Sequence, residues 1–169
     1  VASFIFGYCI IKIGGIKVEI KIKPIAFVKN SRKSVSDDYW GNIISEITLI
    51  DSFTEDSLQG INEFSHLEII FYFNQVLDDA IIKEARHPRG NTNLPKVGIF
   101  AQRGKNRPNK LGLTIVELIE QKGKTLIVKG LDAIDWTPIV DIKPVIKEFL
   151  PTNEILQPKW CSDLMKNYW

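Results

Sequence analysis

Four arginines, Arg86, Arg89, Arg103 and Arg107, fall within 22 residues of one another. Each carries a planar fork that can hold a phosphate or a carboxylate through two parallel hydrogen bonds, which a lysine cannot do. The segment around them, Lys83 to Lys110 (KEARHPRGNTNLPKVGIFAQRGKNRPNK), also contains Lys83, Lys96, Lys105 and Lys110 against a single acid, Glu84, and so carries a charge of +7. The rest of the chain has 14 Lys/Arg against 19 Asp/Glu and stands at −5. Positive charge concentrated in this way, among Gly and Pro that hold the backbone in non-helical shapes, suits a polyanion surface. The competing reading is a solvated basic face beside acidic neighbours.

A second constellation is Gly130 to Pro144, GLDAIDWTPIVDIKP, where Asp132, Asp135 and Asp141 lie among apolar residues. An unpaired carboxylate is too costly to bury, so some of these must accept backbone N–H bonds in turns. The same carboxylates have a functional reading, in which one or two bind a cationic group or a ribose of a ligand.

The remaining candidates are weaker. Ser65-His66 stands at the mouth of an apolar run, yet there is no G-x-S-x-G elbow, and a satisfied structural histidine is the better reading. His87, between Arg86 and Pro88, reads as exposed, with an imidazole able to serve as a base or to stack on a nucleobase. Neither GxGxxG after a strand nor GxxxxGK[ST] occurs, so a nucleotide-like ligand would not sit on a Rossmann fold or a P-loop. The two cysteines, Cys9 and Cys161, and the two histidines have no metal-ligand spacing, so neither a disulfide framework nor a metal site is expected.

Strands must position these groups. Val18 to Lys23 alternates apolar and charged residues and reads as a half-buried strand that continues through Ile25 to Val28. Ile43 to Ile50, Leu67 to Phe73 and Val97 to Ala101 have strand length and composition. Thr114 to Ile119 and Leu126 to Leu131 form a predicted hairpin around QKGK, with Gly123 taking the unusual backbone angle. Helix is sparse. Phe53 to Gly60 is expected as one short helix with Ser52 and Glu55 as a capping box, and Pro158 opens a second that aligns Trp160, Leu164 and Tyr168 on one stripe. The fold expected is mainly β, a small antiparallel barrel or sandwich in a chain of 169 residues that is 44% hydrophobic. The apolar opening VASFIFGYCIIKI is broken by Lys12 before it reaches the ~20 residues of a membrane span, and it lacks signal-peptide features, so a cytoplasmic protein is expected.

ARHPRGNTNLPKVGIFAQRGKNRPNKLGLT followed by GLDAIDWTPIVDIKP closely resembles the TrmO/YaeB-like (TsaA-like domain) family, whose pattern reads RPRGN…GVFATRSPxRPNPIGLS…LDLLDGTPVLDIKPY. KPIAFVKN and INEFSHLEIIFYF are further matches. The resemblance covers Val18 to Leu150, which divides the chain into an N-terminal extension (1–17), a TsaA-like β-barrel domain (18–150) and a C-terminal linker and helix (151–169). It implies a homodimeric antiparallel barrel that binds S-adenosylmethionine without a Rossmann fold and methylates the exocyclic amine of threonylcarbamoyladenosine beside the tRNA anticodon. Carried over by position, the cofactor site comprises Asp38, Tyr39, Trp40, Asn74, Gln75, Arg103, Leu113 and the turn Asp132, Ala133, Ile134, Asp135. Arg86, Arg89, Lys105 and Arg107 are then left for tRNA phosphates. The resemblance names no catalytic side chain.

The chain departs from the pattern at Asn74 in place of His, Trp136 in place of Gly, and Gly104-Lys105 in place of Ser-Pro. If the replaced glycine needs a positive φ, Trp136 must strain or reshape its turn. Two other outcomes keep the barrel and change the activity: a non-catalytic S-adenosylmethionine- or RNA-binding module, or a methyltransferase acting on a small molecule.

Overall fold

The computed structural model describes residues 9–13 and 16–169, with side chains from Ile20 onward. Its centre is a closed six-stranded antiparallel barrel. The strands in chain order are β1 (Cys9–Ile13), β2 (Ile16–Ile20), β3 (Ala26–Asn30), β4 (Ile44–Leu49), β5 (His66–Tyr72), β6 (Ala85–Arg86), β7 (Val97–Gly98), β8 (Leu111–Lys122), β9 (Thr125–Lys129) and β10 (Pro138–Pro144). Going round the barrel the order is β10-β3-β4-β9-β8-β5, while β1-β2 and β6-β7 are separate two-stranded ribbons.

Period-two alternation fills the barrel. Val28, Ile47, Ile69, Phe71, Val116 and Leu126 point inward and are almost wholly buried, while their sequence neighbours face out. Gly112 belongs to the same inward set, because a Cβ there would collide with the Phe71 ring. Closure removes the edges that a sheet of this length would otherwise expose.

The register decides where a site can be. β3, β9 and β5 end where β4, β10 and β8 begin, since Asn30 faces Ser45, Ile44 faces Lys129 and Tyr72 faces Leu111. The connections 31–43, 73–110 and 130–137 therefore all emerge at one end of the barrel. The long middle one carries the basic segment.

The expected elements were met unevenly. The β8–β9 hairpin turns at Gly123 with φ 56°, as its sequence requires. Val97–Ala101 is not a continuous strand: its partner β6 offers only Ala85 and Arg86, so after Gly98 the chain coils into a 3-10 turn, Ile99–Ala101. The strand expected over Val18–Lys23 ends at Ile20, and the boundary drawn after residue 17 falls inside β2. VASFIFGY lies outside the described residues.

The helix expected over Phe53–Gly60 is replaced by two 3-10 turns, Glu55–Leu58 and Ile61–Glu63. Thr54, not Ser52, precedes the first turn, no side chain caps it, and Gly60 opens the second turn at φ 81°. A segment that buries only Leu58 lacks the apolar face that would sustain α-helix. The C-terminal helix, α1 (Lys159–Leu164), stops before Tyr168, and Pro158 precedes its first turn. Residues 138–144, read from sequence as part of an aspartate-bearing turn region, instead form β10, with Asp141 at a register shift against β5.

Candidate functional site

At the open end of the barrel, β8 presents two consecutive residues to two opposite charges. An Arg103 Nη2–H donates to the Leu113 carbonyl, and the Thr114 hydroxyl donates to the Asp132 carboxylate. Thr114 points inward because it occupies a buried position of the alternating strand, and Asp132 follows the end of β9 next to it. Arg103 and Asp132 are thus held against neighbouring residues of one strand although 29 positions separate them in sequence. Asn74 and Gln75 lie just past β5, whose last residue pairs with the first of β8, so they border the same end. The turn after them is held by Lys110: its backbone carbonyl accepts the Phe73 N–H at 2.8 Å, and its Nζ reaches the Val76 carbonyl at 2.7 Å and Asp78.

Asn30, at the end of β3, ties the remaining connections together. Its amide donates to Ser45 Oγ and to the Ala133 carbonyl, both at 2.9 Å, and its N–H donates to Asp135 at 3.0 Å. Burial raises the Asp135 pKa, but the 2.6 Å contact with Lys33 and the Asn30 N–H outweigh it and hold the carboxylate below its ordinary range. Asp135 is therefore occupied inside the fold, while Asp141 is engaged at the surface, where it accepts its neighbour's N–H and pairs with Lys143. Of the three aspartates, Asp132 is the one at the Arg103 position on β8. Ala133 and Ile134 are buried and shape the turn between them.

Arg32 organises Asp38–Trp40. Its Nη2 donates to the Asp38 carbonyl at 3.1 Å and the Tyr39 carbonyl at 2.6 Å, and its guanidinium lies 4.9 Å from the centre of the buried Trp40 ring. Tyr39 takes φ 66° and is 65% exposed. Asp38 accepts two hydrogen bonds from Arg89, at 2.8 and 3.0 Å, and these bonds hold the guanidinium's pKa above its usual value against the lowering effect of burial. Trp136 takes φ 61°, leaves its ring 70% exposed beside Phe27, and so meets the condition under which replacing glycine strains the turn.

The basic segment is less uniformly outward than its composition suggests. Arg86 packs beneath Gly104, with its Nε buried and without a hydrogen-bond partner. Arg107 donates to the Gln102 carbonyl at 3.2 Å, and Gln102 itself bridges the carbonyls of Arg86 and Val97. Lys105 lies half-buried in this loop. His87 is half-buried rather than exposed, and its Nδ1 donates to the Leu94 carbonyl at 2.7 Å. His66 is exposed and 2.8 Å from the Ser65 hydroxyl.

The C-terminal segment completes this end of the molecule, which sequence reading did not foresee. The N–H groups of Tyr39 and Trp40 donate to the carbonyls of Asn167 and Tyr168 at 2.9 and 2.8 Å. The Tyr168 hydroxyl donates to Asp132, and burial, then the Asp132 charge, raises its pKa, opposed by Arg103 and Arg89. Between this segment and the loop 89–94 lies a cleft of about 310 Å3, floored by Asp38 and Arg89. Among the described residues no cluster of His, Cys, Asp or Glu could hold a metal ion, and no helix is long and apolar enough to cross a membrane.

The family model described as tRNA-methyltransferase O N-terminal domain matches residues 35–149. An S-adenosyl-L-methionine-binding protein of Archaeoglobus fulgidus is 31% identical over 138 residues, covering 79% of this chain and 95% of that protein. The tRNA (adenine(37)-N6)-methyltransferase of Escherichia coli is 39% identical over 116 residues, covering 66% of this chain and 47% of that enzyme. The crystal structure of TrmO from Pseudomonas aeruginosa superposes with a TM-score of 0.64 at 22% identity, over 80% of this chain and 60% of that one, which supports the barrel. The chain spans only 25% to 38% of the length of three other relatives.

Proposed function

The chain belongs to the tRNA-methyltransferase O N-terminal domain family, and from that premise we propose that it is an S-adenosylmethionine-dependent methyltransferase acting on tRNA. The acceptor is the exocyclic amine of threonylcarbamoyladenosine beside the anticodon. The observation that carries this reading is the placement of Arg103 and Asp132 on adjacent residues of β8. A cation and an anion so disposed suit the carboxylate and ammonium of an amino-acid moiety, and S-adenosylmethionine has both. The relatives named for binding it or for methylating tRNA support the same choice.

Bound S-adenosylmethionine supplies a methyl group activated by a sulfonium leaving group. The chain's own share is positioning, because in-line transfer needs reacting atoms held about 3 to 3.5 Å apart rather than a strong base. Arg103 and Asp132 orient one end of the ligand. Asn74, Gln75, Leu113 and the Asp38–Trp40 loop border the remainder, and Ala133 to Asp135 fix the turn that carries Asp132. Lys105 and Arg107 face the phosphates of the anticodon stem-loop, with Arg86 and Arg89 shaping the loop that presents them. The exposed rings of Tyr39 and Trp136 offer planes on which an unstacked loop base can rest.

The protein acts as a cytoplasmic homodimer in this reading. On the outward side of β8 the exposed Leu113, Ile115 and Ile119, interrupted by Glu117, support a partly apolar surface for a second copy, whose edge at Leu113 adjoins the proposed cofactor site. Light scattering of the purified chain measures that mass directly.

Transfer of labelled methyl from S-adenosylmethionine to bulk tRNA, followed by mass spectrometry of the nucleosides, tests the activity. Methylated threonylcarbamoyladenosine is expected. Binding of both ligands without incorporation of label would instead establish a non-catalytic module, the reading favoured by the strained Trp136 turn. Affinity for tRNA should fall steeply with salt as phosphate counterions are released, and a flat dependence would point to a small-molecule acceptor.

A further inference from the structure

Three polar groups at the proposed cofactor site are already engaged by the chain itself. The N–H of Tyr39 and the N–H of Trp40 are taken by the carbonyls of Asn167 and Tyr168, and the Asp132 carboxylate by the Tyr168 hydroxyl. All three partners come from two consecutive residues. Trp169 follows directly, with its backbone carbonyl carbon only 2.6 Å from where a Cβ on Gly41 would stand, so a glycine is what lets the segment lie flat here.

Upstream of this tip the segment is anchored only through half-buried side chains, Trp160, Cys161, Leu164 and Met165. Residues 151–159 are exposed throughout, and no residue of α1 is buried. The cleft of about 310 Å3 opens behind the segment, between Asn167, Leu164 and Asp163 on one side and Asp38, Arg89, Asn91 and Leu94 on the other. An element with no fully buried residue, hydrogen-bonded to the barrel end at its tip, can leave as a unit without opening the barrel core.

We propose that Asn167–Trp169 is an internal occupant of the cofactor site, which a ligand must displace to reach Asp132 and the Tyr39 and Trp40 N–H groups. The inference rests on the cofactor reading above and adds a competitor to it. Apparent affinity then equals the intrinsic affinity scaled by the fraction of molecules with the segment released. Any change that weakens the Tyr168 contact raises that fraction. Release breaks no covalent bond and strands no donor, because the ligand or water takes over each group.

Calorimetric titration of the wild-type chain, Tyr168→Phe and Tyr168→Ala with S-adenosylhomocysteine tests this, together with tryptic cleavage at Lys166 followed by mass spectrometry. Losing the phenol–carboxylate bond is expected to tighten binding about three- to tenfold in Tyr168→Phe. The ligand is expected to speed cleavage at Lys166 in the wild type. Equal or weaker binding by Tyr168→Phe, or ligand that protects Lys166, would make the segment a wall of the site and overturn the inference alone. Absence of binding in the wild type and both variants would overturn the cofactor reading, and the inference with it. Should Tyr168→Ala not fold, the phenylalanine variant and wild-type cleavage decide the matter, since Phe keeps the half-buried ring.

Discussion

Two nitrogens of Arg89 reach the two oxygens of Asp38, at 2.8 and 3.0 Å, from a backbone turned to φ 52°. The pair joins the loop after β3 to the basic segment 51 residues later. Bidentate geometry and partial burial put it above the ordinary surface ion pair. A double-mutant cycle with Asp38→Ala and Arg89→Ala should therefore return a coupling of about 1 kcal/mol in thermal or denaturant unfolding, shrinking at high salt. With its guanidinium committed in this way, Arg89→Ala should change the salt slope of tRNA binding less than Lys105→Ala, whose loss is expected to reduce it by about one.

Gly104 lies over Arg86 so closely that an added Cβ would fall 2.8 Å from Nη2. Among the described residues that guanidinium, the far end of the Arg86 side chain, is what an added methyl would crowd. Gly104→Ala should cost about 1 kcal/mol of stability in the wild-type background and nothing measurable in Arg86→Ala, where the obstructing side chain is gone. Equal costs in the two backgrounds would mean that the backbone, not Arg86, requires the glycine.

Trp136 occupies the left-handed region at φ 61°, where only glycine is at ease. Its ring is largely exposed but touches Phe27 at a centroid distance of 6.3 Å. Comparing Trp136→Ala with Trp136→Gly separates the two effects, since both delete the ring and only glycine relieves the backbone. The glycine variant should be more stable than the alanine variant by about 1 kcal/mol in denaturant unfolding.

This turn is also where sequence reading went furthest, because the replaced glycine named both the position and the strain to expect. The strands were legible wherever one face is buried: β4, β5 and the β8–β9 hairpin alternate as their burial does. β10 was not, since Pro138 and Pro144 bound it and Asp141 interrupts its apolar run, all of which read as turn signals until β3 and β5 supply partners. The motifs named both Arg103 and the turn Asp132 to Asp135, but pointed to Asp135 or a backbone carbonyl for a ligand's amino group, and Asp135 is held by Lys33. Thr114, Asn30, Arg32 and Tyr168 were not legible, because what makes them matter is contact across the barrel end, such as the bond from Asn30 to Ala133 spanning 103 residues. The tail helix was legible only in its first turns: α1 ends at Leu164, and Tyr168 instead meets the loop after β3 through its carbonyl and Asp132 through its hydroxyl.

The depressed pKa of Asp135 sets a direction for acid stability. A carboxylate whose pKa is lowered by folding stabilises the protein above its ordinary range, and that contribution is lost as pH falls through the folded-state value. Asp135→Asn keeps an oxygen for the Asn30 N–H but loses the attraction to Lys33, so it should be less stable than wild type by about 1 kcal/mol at neutral pH. The gap should narrow once the pH enters the ordinary carboxylate range, where the unfolded chain takes up its proton, and close as the pH falls further through the lowered folded-state value. Unfolding curves of both chains between pH 7 and pH 2.5 measure this, and a gap independent of pH would mean that the charge does not matter.

Gly112 connects the barrel core to the site. Its Cα faces the Phe71 ring across the β5–β8 pair, where the two residues are directly opposite, and a Cβ would overlap the ring atoms. Phe71 is 1% exposed and packs edge-on against Phe73 at 5.2 Å, so its ring cannot retreat without moving the core. Gly112→Ala must then push β8 outward, at a cost of about 2 kcal/mol in denaturant unfolding. The strand that moves carries the Leu113 carbonyl that holds Arg103 and the Thr114 hydroxyl that holds Asp132. Affinity for S-adenosylhomocysteine should therefore fall along with stability, although Gly112 itself has no side chain to offer a ligand. Phe71→Leu in the Gly112→Ala background makes room for the methyl and should recover both quantities in part. Recovery of stability without recovery of binding would show that the strand's position is not what couples core to site.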